Sequence, residues 1–205
     1  MCNHYENDIH KLGLDLEIYG FHPFSELPRE IYPDRLAPVL RLVADGRMEA
    51  TPMRWGFPPS RPGSSLGTNF RNLDSTWWAP WLKPQYRCLV PFTAFAEPWP
   101  GATVGRKEAW FATTTNRPAM FAGIWRPWTG TRGLKSAPVV GEHLVFSFMT
   151  CDPNGVVGPI HQKAMPSILT TEEEQQAWLT APQSDVPSFQ RPLPDELLRH
   201  VNAAA

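Results

Sequence analysis

The second residue is the first candidate for chemistry. The chain begins Met1-Cys2-Asn3. Removing Met1 would leave Cys2 with a free α-amine and a thiol on adjacent carbons. An internal cysteine cannot form such a pair. The amine can form a Schiff base with an aldehyde, and the thiol can then close a five-membered thiazolidine. Reference pKa values of about 8 for the amine and about 8.5 for the thiol leave both partly available near neutrality. Position 2 alone favours a plainer role, that of a small residue suited to ordinary methionine removal. Other polar groups stand far away in the chain. Asn69 and Arg71 lie at i and i+2, on one face of an extended segment. An amide there can hold an amine, and a guanidinium can hold a phosphate, but three residues by themselves favour a turn asparagine and a loop arginine. Glu97 lies in the apolar run Ala94-Phe95-Ala96-Glu97-Pro98-Trp99. If buried, its pKa rises toward neutrality and suits proton transfer; at a strand end it simply faces solvent. His161 and Lys163, in Pro159-Ile160-His161-Gln162-Lys163, form a second polar pair or a core histidine beside a surface lysine. Cys88 and Cys151 read as structural.

The elements that must position these groups are short. The 205 residues include 23 Pro and nine Trp, which argues for many turns and against a helical bundle. Hydrophobic residues make up 42% and charged residues 19%, as in a folded protein with a sizeable core. The formal net charge is −1, so any nucleic-acid footprint must be local. Three cysteines without a CxxC pair exclude a disulfide framework and a zinc site as first readings and suit a reducing, cytoplasmic setting. No signal segment opens the chain and no long apolar run suggests a membrane span. HExxH, GxSxG and phosphate-binding Gly-rich loops are absent from the sequence. No metal or cofactor is expected.

In chain order, residues 1–20 read as a short strand or turn followed by a short helix. Residues 39–43 and 48–56 read as a hairpin around Ala44-Asp45-Gly46-Arg47. Residues 57–68 read as a loop, and the stretch around Trp77, Trp78 and Trp81 as partly helical. Strands are expected at 87–91, continuing toward Trp99, at 108–115 and at 118–125. Residues 126–142 read as a polar, Gly-containing loop. His143–Thr150 alternates and is the best strand. Thr170-Thr171-Glu172-Glu173-Glu174 opens the clearest helix, and the chain ends in a short helical turn. The expected fold is α+β. It is a single domain over 1–205, with a curved, barrel-like mixed sheet of short strands and peripheral helices.

These pieces occur together and in order in one known family. The chain resembles the SRAP (SOS response-associated peptidase) family on several motifs. They are Met1-Cys2-Asn3, Met53-Arg54-Trp55-Gly56, Thr68-Asn69-Phe70-Arg71-Asn72, Arg87-Cys88-Leu89-Val90-Pro91, Glu97 and His161-Gln162-Lys163-Ala164-Met165-Pro166. The resemblance implies recognition of abasic sites in single-stranded DNA and their covalent capture by Cys2 after self-removal of Met1. It also implies a monomer, nucleoid-associated when on DNA. Cys2 would be the nucleophile and Asn69 would orient the amino terminus. Glu97 would shuttle protons and assist Met1 release, and His161 would act at the opened sugar. Arg71 and Lys163 would hold phosphates, and Trp55 and Pro38 would line the strand path. Phe70 stands where many members have a small residue, and Pro98, followed by Trp99, stands where many have Trp. Two other classes remain. One is an N-terminal-nucleophile hydrolase of amidotransferase type, against which Asn3 counts. The other is a non-covalent single-strand binder.

Overall fold

The structure is a computed structural model and describes residues 2–8, 28–61, 63–101, 107–134 and 136–201. The helix expected within the first twenty residues lies outside the described residues. The strands run in the order β1 (His4–Glu6), β2 (Glu30–Ile31), β3 (Leu36–Leu42), β4 (Met48–Trp55), β5 (Asn69–Phe70), β6 (Arg87–Phe92) and β7 (Ala94–Pro98). They continue with β8 (Glu108–Thr113), β9 (Ala119–Leu134), β10 (Ala137–Cys151), β11 (Met165–Pro166), β12 (Ile168–Leu169) and β13 (Leu198–Val201).

Five strands close a mixed barrel. β10 pairs parallel with β4, β4 antiparallel with β3, and β3 with β6; β6 then pairs with β9, and β9 with β10 again. The β3–β4 hairpin turns where expected. Gly46 supplies the left-handed backbone at φ 82°, and the Asp45 carboxylate accepts from Arg47 N. Strand side chains alternate between two buried regions. Val39, Met53, Trp55, Cys88, Val90, Phe121, Phe146 and Phe148 point into the barrel. Leu40, Ala50, Leu89, Met120, Ala122, Val145 and Met149 point outward into a second core. Because both faces are covered, these strands read as near-continuous apolar runs.

The second core is roofed by the helix Glu172–Thr180. Thr171 caps it, accepting from Glu174 N, and the Glu174 carboxylate accepts from Thr170 N in return. Trp178 and Leu179 are its buried residues. The Trp178 indole donates to Cys88 O at 3.0 Å and Gly123 O at 3.2 Å. Burying large side chains of this kind contributes about 2–3 kcal/mol each.

One expectation changes and another is extended. Residues 126–142 are not a polar loop but the far part of the β9–β10 ribbon, paired from Ala137↔Leu134 through Phe148↔Gly123. Alternating burial along β9 puts Trp128 and Arg132 toward the covered side, and Thr, Trp and Val on a pleated surface outweigh the glycines. The short helical turn expected near the end is followed by a further strand. Asp195–Leu197 is one 3-10 turn, and β13 then pairs with β8. The Trp-rich stretch contributes only the 3-10 turns Ala79–Trp81 and Pro84–Tyr86.

A second sheet, in the order β13-β8-β7-β1-β2, shares the barrel core through Tyr5, Ile31, Phe95 and Phe111. β1 is an inner strand, paired with β7 through His4↔Ala96 and with β2 through Tyr5↔Ile31. Tyr5 enters the barrel, meeting Trp55 edge-on at 5.1 Å and Phe121 at 5.7 Å. The N-terminal segment is thereby fixed over the barrel interior. Among the described residues no helix is long and apolar enough to cross a membrane.

Candidate active site

Cys2 lies two residues before His4, the first residue of β1, and is 0% exposed. Its Sγ donates to His4 O at 3.4 Å. Burial pushes the thiol well above its ordinary range, and the nearby Glu97 carboxylate adds to this. Backbone hydrogen bonds from His4 and Ala96 and the positive amino terminus act in the opposite direction. The thiol is therefore held protonated and needs a base to become a nucleophile.

That base stands on β7. Glu97 shares the face of Phe95, toward the barrel core, and is 0% exposed. Burial raises its carboxyl from an ordinary 4.5 to about 7, with the positive amino terminus opposing the rise. Near neutrality it can therefore both give and take a proton.

His161 arrives from the turn after β10. Its Nδ1 lies 2.9 Å from Ala164 O and 3.6 Å from Glu97 Oε2. A carbonyl only accepts, so Nδ1 carries the proton and Nε2 presents a lone pair. Burial lowers the His161 pKa, which keeps the ring neutral at pH 7.

Asn69 comes from β5, held parallel to β10 at Phe148↔Asn69. Its Nδ2 donates to Cys2 O at 3.0 Å. Its Oδ1 is buried without a hydrogen-bond partner. Such an orphaned acceptor is costly unless a donor reaches it in some functional state. Phe70 turns to the other side of the strand, 1% exposed in the second core against Trp78. This substitution is therefore absorbed away from Cys2.

Arg71 and Lys163 meet at the rim. Arg71 Nη1 donates to Lys163 O, Arg71 Nη2 pairs with Asp152, and the Arg71 side chain is 44% exposed. Trp55 and Pro38 are both buried. Trp55 is 0% exposed, stacked on Phe148 at 5.3 Å, and its Nε1 donates to Thr68 O at 2.9 Å. It supports the strand that carries Asn69. Pro38 is buried in β3 opposite Pro52. Trp99 is half-buried and edge-on to His200. The structure adds two residues that the sequence reading did not single out. Asp152 partners Arg71. His4 accepts from the Cys2 thiol and, though 2% exposed, bonds through Nδ1 to Glu108 at 3.1 Å. Its place two residues after Cys2 in an extended segment was the available signal. Among the described residues no group of three His, Cys, Asp or Glu side chains is placed to hold a metal ion.

Comparison with solved structures finds the same fold. A protein from Bordetella bronchiseptica aligns with TM-score 0.73 at 24% identity, over 98% of this chain and 100% of that one. A protein from Bacteroides thetaiotaomicron aligns with TM-score 0.73 at 21% identity, over 98% and 93%. A phage-related protein from Bordetella bronchiseptica aligns with TM-score 0.63 at 19% identity, over 98% and 93%. None of the curated proteins compared matches the chain. The family model described as SOS response associated peptidase (SRAP) matches residues 22–203. Cys2 lies before the matched stretch, so its role has to be argued from its surroundings. On this match the chain belongs to the SRAP family, which is associated with the DNA-damage response and abasic-site processing.

Proposed function

We propose that the protein captures abasic sites in single-stranded DNA covalently, through Cys2 freed of Met1. One observation carries this reading. Asn69, Glu97 and His161, from three distant stretches, converge on the residue whose amine and thiol would do the chemistry.

The ring-opened abasic sugar presents an aldehyde. The Cys2 amine attacks its carbon, a C–N bond forms, and water leaves as the imine is made. Glu97 in its neutral form supplies the proton that departs with the oxygen. The Cys2 thiol then adds to the imine carbon. A C–S bond forms, the thiol proton passes to Glu97, and nitrogen regains a proton to complete the thiazolidine. The raised Glu97 pKa supports both directions of transfer. Asn69 Nδ2 holds the Cys2 carbonyl, and its orphaned Oδ1 is a natural acceptor for an ammonium hydrogen. His161, neutral with a lone pair on Nε2, handles protons on the sugar. Arg71 and Lys163 hold the phosphate beside the lesion. Release of Met1 belongs to the same reading, with Glu97 as proton carrier. The partner is therefore single-stranded DNA, and no added cofactor enters any step.

Intact mass with and without an abasic oligonucleotide tests this directly. The expected result is a protein lacking Met1 that gains the oligonucleotide mass less one water and survives denaturation. Cys2→Ala is expected to leave no denaturation-stable adduct, and an undiminished adduct in that variant sinks the mechanism.

A further inference from the structure

A cavity of about 390 Å³ opens beside the ribbon, walled by Tyr32, Asp34, Arg35, Arg54 and Gly133 among others. It is separate from the Cys2 site but close to it. Arg54 lies opposite Val145 on β10, and Asn69 opposite Phe148. Three residues of strand correspond to roughly 10 Å. From the other side, the Tyr32 ring stacks on the His4 ring at 4.0 Å, and His4 O accepts from the Cys2 thiol. The cavity and Cys2 therefore flank the same residue.

Its charge is positive because its one acid is already used. Asp34 Oδ1 accepts from Arg132 Nε at 2.7 Å, and Oδ2 accepts from Gly133 N at 2.8 Å. Arg132 is buried and its Nη1 donates to Gly56 O. Arg54 Nη1 donates to the Asp34 backbone carbonyl at 2.9 Å, which aims the guanidinium. Among the described residues no carboxylate forms an ion pair with Arg35 or Arg54. Two guanidiniums are left facing an open space.

The backbone is shaped to allow this. Asp34, at φ 67°, is the one non-glycine residue with positive φ among the described residues, and Gly133 across from it sits at φ 94°. Left-handed positions held by several hydrogen bonds occur where local geometry serves a site. β4 also alternates, so Trp55 turns into the barrel while Arg54 turns toward the cavity.

We propose that this cavity is a phosphodiester subsite, in which Arg35 and Arg54 take a backbone phosphate of the DNA strand outside the reacting sugar. Tyr32 borders the adjoining nucleotide. The proposal rests on the reading of the protein as a single-strand binder, and it assigns the strand path to Arg54 rather than to Trp55.

The test uses an undamaged, fluorescent thymidine oligomer roughly 15 nucleotides long, with anisotropy measured between about 50 and 200 mM salt. Wild-type protein is expected to bind with an affinity that falls as salt rises. In Arg35→Gln/Arg54→Gln the affinity drops about tenfold, and the slope of log K on log salt becomes shallower by about 0.7, one phosphate contact. Arg35→Gln alone is expected to show the same direction, and because the Arg35 side chain is exposed this substitution is expected to leave the fold intact. An unchanged affinity and slope in Arg35→Gln and the double variant overturns the subsite, whatever the capture assay gives. Salt-independent binding by wild type overturns it too. Failure of covalent capture with these shifts intact overturns the Cys2 chemistry alone.

Discussion

Two buried ionisable side chains, one in each core, have opposite surroundings. Arg87 lies under the helix of the outer core, 1% exposed. Its guanidinium donates to three backbone carbonyls, Leu82 O, Trp178 O and Ala181 O, each at 2.8 Å. Burial lowers its pKa only to about 10, so it stays charged at neutral pH and pins the helix end. Glu97 lies over the barrel core, equally hidden, yet its carboxyl sits at about 7 and faces a thiol and an imidazole. A buried charge given fixed acceptors is structural. A buried acid balanced between its two forms, beside groups that exchange protons, is equipped for chemistry.

The widest separation between the two is expected in Glu97→Gln. Capture of an abasic oligonucleotide slows by about 10²–10⁴, the usual reach of general acid–base catalysis, as read from adduct formation over time. Arg87→Met reverses the pattern. Three carbonyls lose their donor, stability falls by about 4 kcal/mol in urea melts, and capture per folded molecule stays at the wild-type rate. A wild-type capture rate in Glu97→Gln, or an unchanged melt in Arg87→Met, breaks the comparison.

The next effect concerns pH. The folded-state pKa of Glu97 is raised, so its neutral form favours the fold. That stabilisation is complete below 4.5 and is lost as pH rises through about 7. The gap corresponds to about 3 kcal/mol. Glu97→Gln should match wild type near about pH 4 and exceed it by up to about 3 kcal/mol near about pH 8. Equal urea midpoints across that range would remove the claim that the fold pays for this acid. The smallest effect is expected in Asn69→Ala. Losing one hydrogen bond to Cys2 O, worth about 1 kcal/mol, slows capture about fivefold and leaves the Glu97 limb of the pH profile in place.

The candidate site residues were legible because each breaks its local pattern. Glu97 interrupts an apolar strand, His161 an apolar turn, and Asn69 and Arg71 flank a phenylalanine at the spacing of one strand face. What stayed hidden is parity and pairing. Trp55 and Arg54 are neighbours in one motif, and only the register of β4 against β3 and β10 decides which faces outward. The ribbon was hidden for a related reason. Residues 126–142 lack a continuous apolar run because one side of a two-stranded ribbon faces solvent, and its stability comes from a partner strand close in sequence. Phe70 looked like a departure at the site, and the alternation of β5 sends it into the other core.

Asn69 grips Cys2 by its carbonyl oxygen, the end of the residue that is identical before and after methionine removal. That contact does not depend on what precedes Cys2, whereas the Cys2 thiol and the Glu97 carboxyl both feel the positive amino terminus. An uncleaved purification tag fused ahead of the chain leaves the Cys2 carbonyl available for that bond but removes the free α-amine. Under the proposed mechanism such a protein forms no thiazolidine, because an amide stands where the free amine should be. Preparations of this protein are best tagged at the other end.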